Sequence, residues 1–492
     1  MNFARDVVDA APPGAPALIE LGRDGSRHVW TFGQVADASA RLAGRLRGEG
    51  VEPGEVVMTL VGNRSEWALA LVACFRIGAV VLPCTEQLRA ADLQVRLDLV
   101  QPRIVIADER NLGELGQTDA AERATVIAIP DPGLYDAEPA AAVDLDPEAP
   151  ALIVFTSGTT GTPRAAVHPH RYMPGQELMA RAWLGARAGD VVWCTASSGW
   201  SKSSRNAFVA PWLCGATGLL HDARFDAAER LAVLQRERVN VLCMSPTEYR
   251  LVAKRVPVRA PASLRRLVAA GEALDPATLA RWREATGLAI LDGYGQTETA
   301  HLTAPPGEDD ARPGSMGRPL PGVRAWIDEG ELVVDPATVP TFFSGYLGSP
   351  PVSRSQPWRT GDRVRQDDDG YLYFESRADD VIISSGYRIG PFEVESVLQS
   401  HPAVAEAAVV GMPDPDRGEI VRAVVVPAPG HAPSPELGRE LQEHVKRLTA
   451  PYKHPRVVEF AAELPRTASG KLRRAELRSR GMVWPLGSTD GR

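Results

Sequence analysis

The sequence lacks most of the features that would make it a membrane protein, a secreted disulfide scaffold or a nucleic-acid binder. No apolar run reaches the roughly 20 residues needed to cross a bilayer. The opening stretch "MNFARDVVDAAPPGAP" has no apolar segment of signal-peptide length. Cysteine is scarce: Cys74, Cys84, Cys194, Cys214 and Cys243 form no CxxC pair. Their odd number, mostly within apolar stretches, predicts reduced thiols packed in the interior. Positive charge is not in excess. The net charge is −8, so the basic footprint that nucleic-acid binding requires is missing. Acidic ligands must then be held by local donors. Internal repeats and low-complexity linkers are absent too. These absences predict a cytoplasmic protein with no nucleic-acid partner and no transmembrane segment.

What is present is a long, ordinary globular chain. At 492 residues and a prior of roughly 150 residues per domain, two to four units are expected. The apolar share of 44% is enough for sizeable cores. Through the first two-thirds, short apolar runs alternate with helical periods. "VVMTLVG" is followed by the amphipathic "SEWALALVACFRIGA" and then "VVLPC". "VNVLCMS", "LRRLVAAG", "DPATLARWREATG" and "LAILDGYG" repeat the pattern, with Asp275 and Pro276 as N-cap and first helical residue. Such alternation predicts an α/β fold, with parallel or mixed sheets covered by helices. Ligands bind such folds where loops leave the carboxyl ends of strands.

The pattern changes after "GYLYFESRADD". "GPFEVESVLQSHP" predicts a helix with Val394, Val397 and Leu398 on one face. "VAEAAVVGM" and "IVRAVVVPA" predict strands. "SPELGRELQEHVKRLT" predicts a helix capped by Ser434, with Leu437, Leu441 and Leu448 facing inward. A small α+β domain over 379–492 is therefore expected to follow a large one over 1–378.

Four stretches could carry chemistry. "TSGTTGTPR" comprises Thr156, Ser157, Gly158, Thr159, Thr160, Gly161, Thr162, Pro163 and Arg164 and follows the apolar run "ALIVF". Free backbone N–H groups and hydroxyls there suit an anion, although the GxxxxGK[ST] spacing of a Walker loop is absent. By itself it is equally a plain turn. "DGYGQTE" runs Asp292, Gly293, Tyr294, Gly295, Gln296, Thr297, Glu298. It offers an exposed ring face, a hydroxyl and a carboxylate suited to Mg2+, or only a capped strand-to-loop turn. "WRTGDRV…GYLYFESRADD" holds Asp362, which can accept from ribose hydroxyls, and Arg377 to reinforce it; alternatively it is a hairpin. "PRTASGKLRR" places Lys471 on a glycine-containing turn, or in a solvated basic tail.

Taken together, in this order and at these spacings, the stretches resemble the adenylate-forming superfamily of acyl- and aryl-CoA synthetases, luciferases and peptide-synthetase adenylation domains. The resemblance runs from about Val29 to Leu477. "SRADDVIISSGYRIGPFEVESVLQSHPAV", "PDPDRGE", "TAPYKHPR" and "GWSKSSRNAFVAPWLCGA" are similar to the medium-chain acyl-CoA synthetase, or butyrate–CoA ligase, branch.

The resemblance implies the following roles. The loop Thr156 to Arg164 closes over the β- and γ-phosphates of ATP. Gly271 and Glu272 border the adenine and Tyr294 stacks on it. Thr297 contacts the α-phosphate or the acyl carboxylate, and Glu298 holds Mg2+. Asp362 takes the ribose hydroxyls, Arg377 supports it, and Arg388 approaches phosphate or substrate. Lys471 bridges the acyl carboxylate and α-phosphate. The acid attacks ATP to give acyl-AMP and pyrophosphate, and the CoA thiol then displaces AMP. Between the steps the small domain turns about Asp379. That movement withdraws Lys471 and brings in Gly386, where a missing side chain lets pantetheine pass. Ser385, Tyr387, Arg417, Lys446, His454, Pro455 and Arg456, joined by Gln87, match CoA contacts of this branch. Arginine and lysine suit its phosphates. The resemblance also leaves room for a homodimer.

The implied acyl pocket has Trp200 as an aromatic gate and Met244, Ser245, Pro246 and Ala270 as walls. No cation in these stretches marks a second acid group, which favours a largely apolar monocarboxylic acid. Two features depart from the family. Arg164 stands where lysine is usual, which predicts altered ATP affinity. The segment from Asp328 to Trp358 is short and predicts a trimmed surface hairpin. Two other readings remain: a stand-alone ligase loading a carrier-protein phosphopantetheine, and a non-catalytic binding or scaffold homologue.

Overall fold

The computed structural model describes the chain except for residues 157–162, 272–273, 275, 308–309, 378–379, 385–386, 467–471 and 480–492 and the side chains of residues 388 and 451. Among the described residues the fold is mixed α/β, with a large N-terminal and a small C-terminal domain. Two wide sheets form the large domain. The nine-stranded sheet runs, edge to edge, Arg318–Pro319, Ala300–Ala304, Ile290–Gln296, Arg266–Ala270, Val241–Met244, Val191–Cys194, Thr217–His221, Pro16–Leu21 and Arg27–Thr31. Its middle is parallel, from Ile290–Gln296 to Pro16–Leu21. The seven-stranded sheet runs Gly345–Tyr346, Arg164–Pro169, Pro150–Thr156, Val80–Cys84, Val56–Leu60, Ile104–Asp108 and Thr125–Ile129.

The helix Ser65–Ile77 shows how the two sheets are joined. Every residue except Glu66 is buried, which corrects the amphipathic reading: the helix is apolar nearly all round and packed on both sides. It ends at Gly78, whose φ of 77° is the left-handed conformation glycine takes at helix ends. A single core contains Trp67, Leu69 and Phe75 from this helix with Leu152 and Val154 from one sheet and Val241, Val268 and Leu291 from the other. The helix Phe32–Gly48 packs beside it and starts at Thr31, with Gln34 completing a capping box.

A four-stranded sheet, Ala325–Asp328, Glu331–Val334, Trp358–Gln366 and Leu372–Arg377, follows. Ala325–Asp328 and Glu331–Val334 form a hairpin whose turn opens the segment 328–358. The C-terminal sheet joins Tyr387–Ile389, Ile382–Ser384, Gly418–Pro427 and Val404–Asp414, with Val457–Phe460 pairing parallel to Gly418–Pro427. The helices Pro391–Gln399 and Pro435–Leu448 cover it. Ser434 caps the latter by accepting from Leu437 N at 3.1 Å. Leu437 and Leu441 face inward as expected, but Leu448 is exposed. The helix ends there, past the packed strands, and Val445 makes the last inward contact. The expected N-cap Asp275 and the boundary at Asp379 lie outside the described residues. The domains touch where Lys254 Nζ donates to Ala405 O at 3.1 Å. Among the described residues no helix is long and apolar enough to cross a membrane.

Candidate active site

The site is assembled at the end of the strand Ile290–Gln296, where the sheet turns from parallel to antiparallel. Ile290–Gln296 pairs parallel with Arg266–Ala270 and antiparallel with Ala300–Ala304. The hairpin leaves no space for a side chain at Gly295, whose Cβ would overlap Ala300 O. Gly293 is closed off in the same way by the ring of His301. Both glycines of "GYG" are thus dictated by close approach, and they leave Tyr294 between them.

Asp362 is the hub of the first cluster. It is buried and accepts from the Tyr294 hydroxyl. It also accepts from Gln296 Nε2 at 2.8 Å and from Arg377 Nη1 at 2.9 Å. Arg377 lies directly across the ladder from Asp362. Gln296 Nε2 also donates to Thr360 O at 2.7 Å, and Trp358 Nε1 donates to Gln296 Oε1 at 3.1 Å. Burial, and then the neighbouring Asp362 carboxylate, push the Tyr294 phenol well above its usual range, so it remains a donor. Residues distant in sequence therefore converge on one carboxylate.

The second cluster links two sheets. Tyr346 lies on the edge strand beside Arg164–Pro169. Its hydroxyl donates to Glu298 Oε1 at 2.6 Å, and the Arg164 guanidinium sits over its ring at 3.4 Å. Phe343 N donates to Glu298 O at 2.8 Å, which fixes the turn that presents Thr297 and Glu298. Among the described residues no group of three or more His, Cys, Asp or Glu side chains could cage a metal. A lone carboxylate with an oriented oxygen still fits Mg2+, which is commonly held by one or two carboxylates together with substrate phosphates. Of the phosphate loop, Thr156 and Arg164 are paired strand residues, and Pro163 lies between Arg164 and the part outside the described residues. That part comprises Ser157, Gly158, Thr159, Thr160, Gly161 and Thr162.

The third cluster lies where Val241–Met244 and Arg266–Ala270 end. Ser245 caps the helix Pro246–Arg255, with Glu248 completing the box. Lys202 Nζ donates to Ala270 O at 2.9 Å and lies 5.8 Å from the Trp200 ring centroid. Gly271 has φ 109° and sits against Lys202, and Glu272 lies outside the described residues. Burial pushes the Asp292 carboxyl up, opposed by Lys202. Two cations that the sequence reading did not weigh stand beside these walls: Lys202, which reaches Ala270 O, and Arg205, which is buried. Both lie in "GWSKSSRNAFVAPWLCGA", a run that resembles the medium-chain branch but in which only Trp200 was given a role. Tyr346 was missed because "GYLG" carries no chemical signature by itself.

The small domain gathers its candidates at one end. Arg417 occupies the turn between Val404–Asp414 and Gly418–Pro427, where its N–H donates to Asp414 Oδ1 at 2.9 Å. The adjoining Gly418 pairs with Ser384. Tyr387 stacks on Tyr452 with ring centroids 4.2 Å apart and planes at 14°. Lys446 Nζ pairs with Glu443 at 2.5 Å. His454 is half-buried, Pro455 is buried, and Arg456 N donates to Val421 O at 2.8 Å. Gln87, on the large domain, is exposed in a turn. Asp379, Ser385, Gly386, Lys471 and the Arg388 side chain lie outside the described residues, so their relation to the clusters is not defined here.

Asp362, with the tyrosine, glutamine and arginine it gathers, stands within a mixed α/β fold of a large and a small domain, the architecture of solved CoA ligases. The chain belongs to the AMP-binding enzyme family: it matches that family over residues 5–347 and the AMP-binding enzyme C-terminal domain over residues 393–471. An uncharacterised acyl–CoA ligase, YtcI, of Bacillus subtilis is 37% identical, over 94% of this chain and 93% of its own. The human mitochondrial acyl-coenzyme A synthetase ACSM4 is 38% identical, over 97% and 90%. The crystal structure of a benzoate CoA ligase from Burkholderia xenovorans superposes with a TM-score of 0.86 at 28% identity, covering 97% of this chain and 100% of that one.

Proposed function

We propose that this protein is an AMP-forming acyl-CoA ligase that activates a carboxylic acid with a largely apolar chain and passes the acyl group to CoA. The convergence of Tyr294, Gln296 and Arg377 on Asp362 carries this reading. It supports a nucleoside site in which the ring of Tyr294 meets the base and Asp362 meets the ribose. The acyl-coenzyme A synthetases and the acyl–CoA ligase among the relatives favour the acid–thiol ligase reading. The ground for a strictly monocarboxylic substrate is removed by Lys202 and Arg205.

A carboxylate attacking a phosphate ester needs no general base. The difficulty is bringing one anion onto another, so the residues must position both and offset the charge. Arg164 and the loop before it would hold the pyrophosphate half of ATP. Thr297 would orient the α-phosphate, and Lys471 would bridge it to the acid. Mg2+, when bound, neutralises phosphate charge, and Glu298, held by Tyr346, is its proposed ligand. Acyl-AMP is labile, so water must be excluded until the thiol arrives. In our reading, residues 1–378 perform adenylation, and residues 379–492 turn about Asp379 to bring Gly386 and Tyr387 to the thiol path. Arg417, Lys446, His454 and Arg456 then meet CoA in the cytoplasm.

The test is a panel of acids from acetate to dodecanoate, with benzoates, scored for AMP release with and without CoA. CoA-dependent acyl-thioester with AMP and pyrophosphate is expected. Rapid transfer to a carrier protein and none to CoA would replace this reading with the carrier-loading one. Silence across the panel would leave a binding protein.

A further inference from the structure

The large domain buries a cation that no described residue neutralises. Arg205 is 6% exposed, and its Nε and Nη1 have no hydrogen-bond partner. A guanidinium cannot shed its proton, and removing one from water without a counter-charge is unfavourable. The Nε and Nη1 donors are therefore left for an acceptor that no described residue supplies.

The position of Arg205 says where that acceptor comes from. Lys202 stands in the turn that leads into the π-helix Arg205–Val209, whose first two residues are Arg205 and Asn206. Lys202 Nζ reaches Ala270 O at 2.9 Å, and Asn206 Nδ2 lies 3.7 Å from Cys243 Sγ. The residues on either side of Arg205 thus reach the strands that bear Ala270 and Met244, the proposed acyl walls, and the charge of Arg205 acts on Cys243, next to Met244. Other polar atoms in the vicinity are unpaired too: both ring nitrogens of His168, His301 Nε2 and Asn206 Oδ1. The Arg205 charge disfavours protonation of both histidines, adding to the effect of their burial. Neither histidine can supply a negative charge in return.

We infer that Arg205 binds an oxygen acceptor at the far end of the acid substrate, so that the enzyme prefers acids bearing a distal carboxylate or carbonyl over plain aliphatic acids. The inference rests on the ligase reading above and names its substrate class. A planar guanidinium can hold two acceptor lone pairs at once. An acid without the acceptor would leave the buried cation unpaired, and that difference is what discriminates.

The full-length protein should be assayed with ATP, Mg2+ and CoA against hexanoate, 5-oxohexanoate and adipate. The oxygen-bearing acids should exceed hexanoate in kcat/KM by about tenfold or more. Their order shows whether a carbonyl or a carboxylate is the acceptor. Arg205→Met should invert the preference towards hexanoate. It should also raise the melting temperature, because it removes an uncompensated buried charge. A wild-type preference for hexanoate overturns the inference and leaves the ligase reading standing. So does an Arg205→Met variant that slows all three acids in proportion and melts lower, which marks a structural, water-bound cation. The wild-type ranking needs no variant and stands even if Arg205→Met folds poorly. No thioester from any acid, benzoates and long chains included, overturns both readings.

Discussion

The Tyr346 hydroxyl donates to Glu298 Oε1 at 2.6 Å while its ring carries Arg164 at 3.4 Å. One side chain thus ties the carboxylate proposed for Mg2+ to the residue that ends the phosphate loop. Burial, and then the charge of Glu298, push the phenol up, so Tyr346 stays a donor across the working range. Tyr346→Phe keeps the ring and removes only the hydrogen bond. It should weaken metal·ATP binding by about tenfold, in line with the loss of a group that orients a metal ligand. The measurement is the binding of Mn2+·ATP followed by electron paramagnetic resonance. Unchanged binding would show that Glu298 is oriented without Tyr346.

Arg164→Lys tests the other half of the same contact. Lysine keeps the charge but cannot lay a planar guanidinium on the ring. A stacked cation is worth about 0.5–1 kcal/mol at an accessible site, so the ATP KM should rise a few-fold with kcat little altered. Combined with Tyr346→Phe, the two effects should add, because phenylalanine preserves the stack. Tyr346→Leu should instead abolish the difference between arginine and lysine at position 164. Steady-state kinetics on the wild type, the three single variants and the two double variants decides this.

Asp362→Asn addresses the nucleoside cluster. An asparagine oxygen can still accept from Tyr294 and Gln296, which share Oδ2, but the amide N–H2 then faces Arg377 and leaves that guanidinium without its counter-charge. Loss of a charged hydrogen bond at a buried carboxylate should cost about 1–3 kcal/mol of stability, read by urea denaturation. The ATP KM should rise by more than the acid KM. An equal rise in both would argue that Asp362 supports the domain and not the nucleoside.

These relationships mark where sequence reasoning ran out. The strands at Val56–Leu60, Val80–Cys84, Val241–Met244 and Arg266–Ala270 were legible because buried parallel strands are short apolar runs. The helix Ser65–Ile77 was legible as a helix, but not as one buried on all sides, because its flanking polar residues suggest an exposed face that the second sheet covers. Asp362, Tyr294 and Glu298 stood out because glycines and turns surround them. Tyr346 and Arg205 did not. Their importance comes from what faces them across the interior: Glu298, 48 residues away in sequence from Tyr346, and for Arg205 the histidines at 168 and 301. Pairings of that range carry no local period. Leu448 fails for the opposite reason. Its spacing fits the inward face, but the helix outruns what it covers.

The buried histidines give a pH prediction with a definite sign. Burial, and then Arg205 and Arg171, push His168 down to about 3, and burial, with the chain's amino terminus, pushes His170 down to about 4. An unfolded histidine titrates near 6.5. Between these values the unfolded chain binds protons that the folded chain refuses. Their contribution to stability is therefore complete above about pH 6.5 and is lost as pH falls towards 3 to 4. At the steep part of that window each histidine makes stability fall by about 1.4 kcal/mol per pH unit. His168→Phe should reduce this slope, and the change should show in urea midpoints taken between pH 7 and pH 4.5. A slope unchanged by the substitution would mean that His168 is protonated in the folded protein, with a partner for its charge.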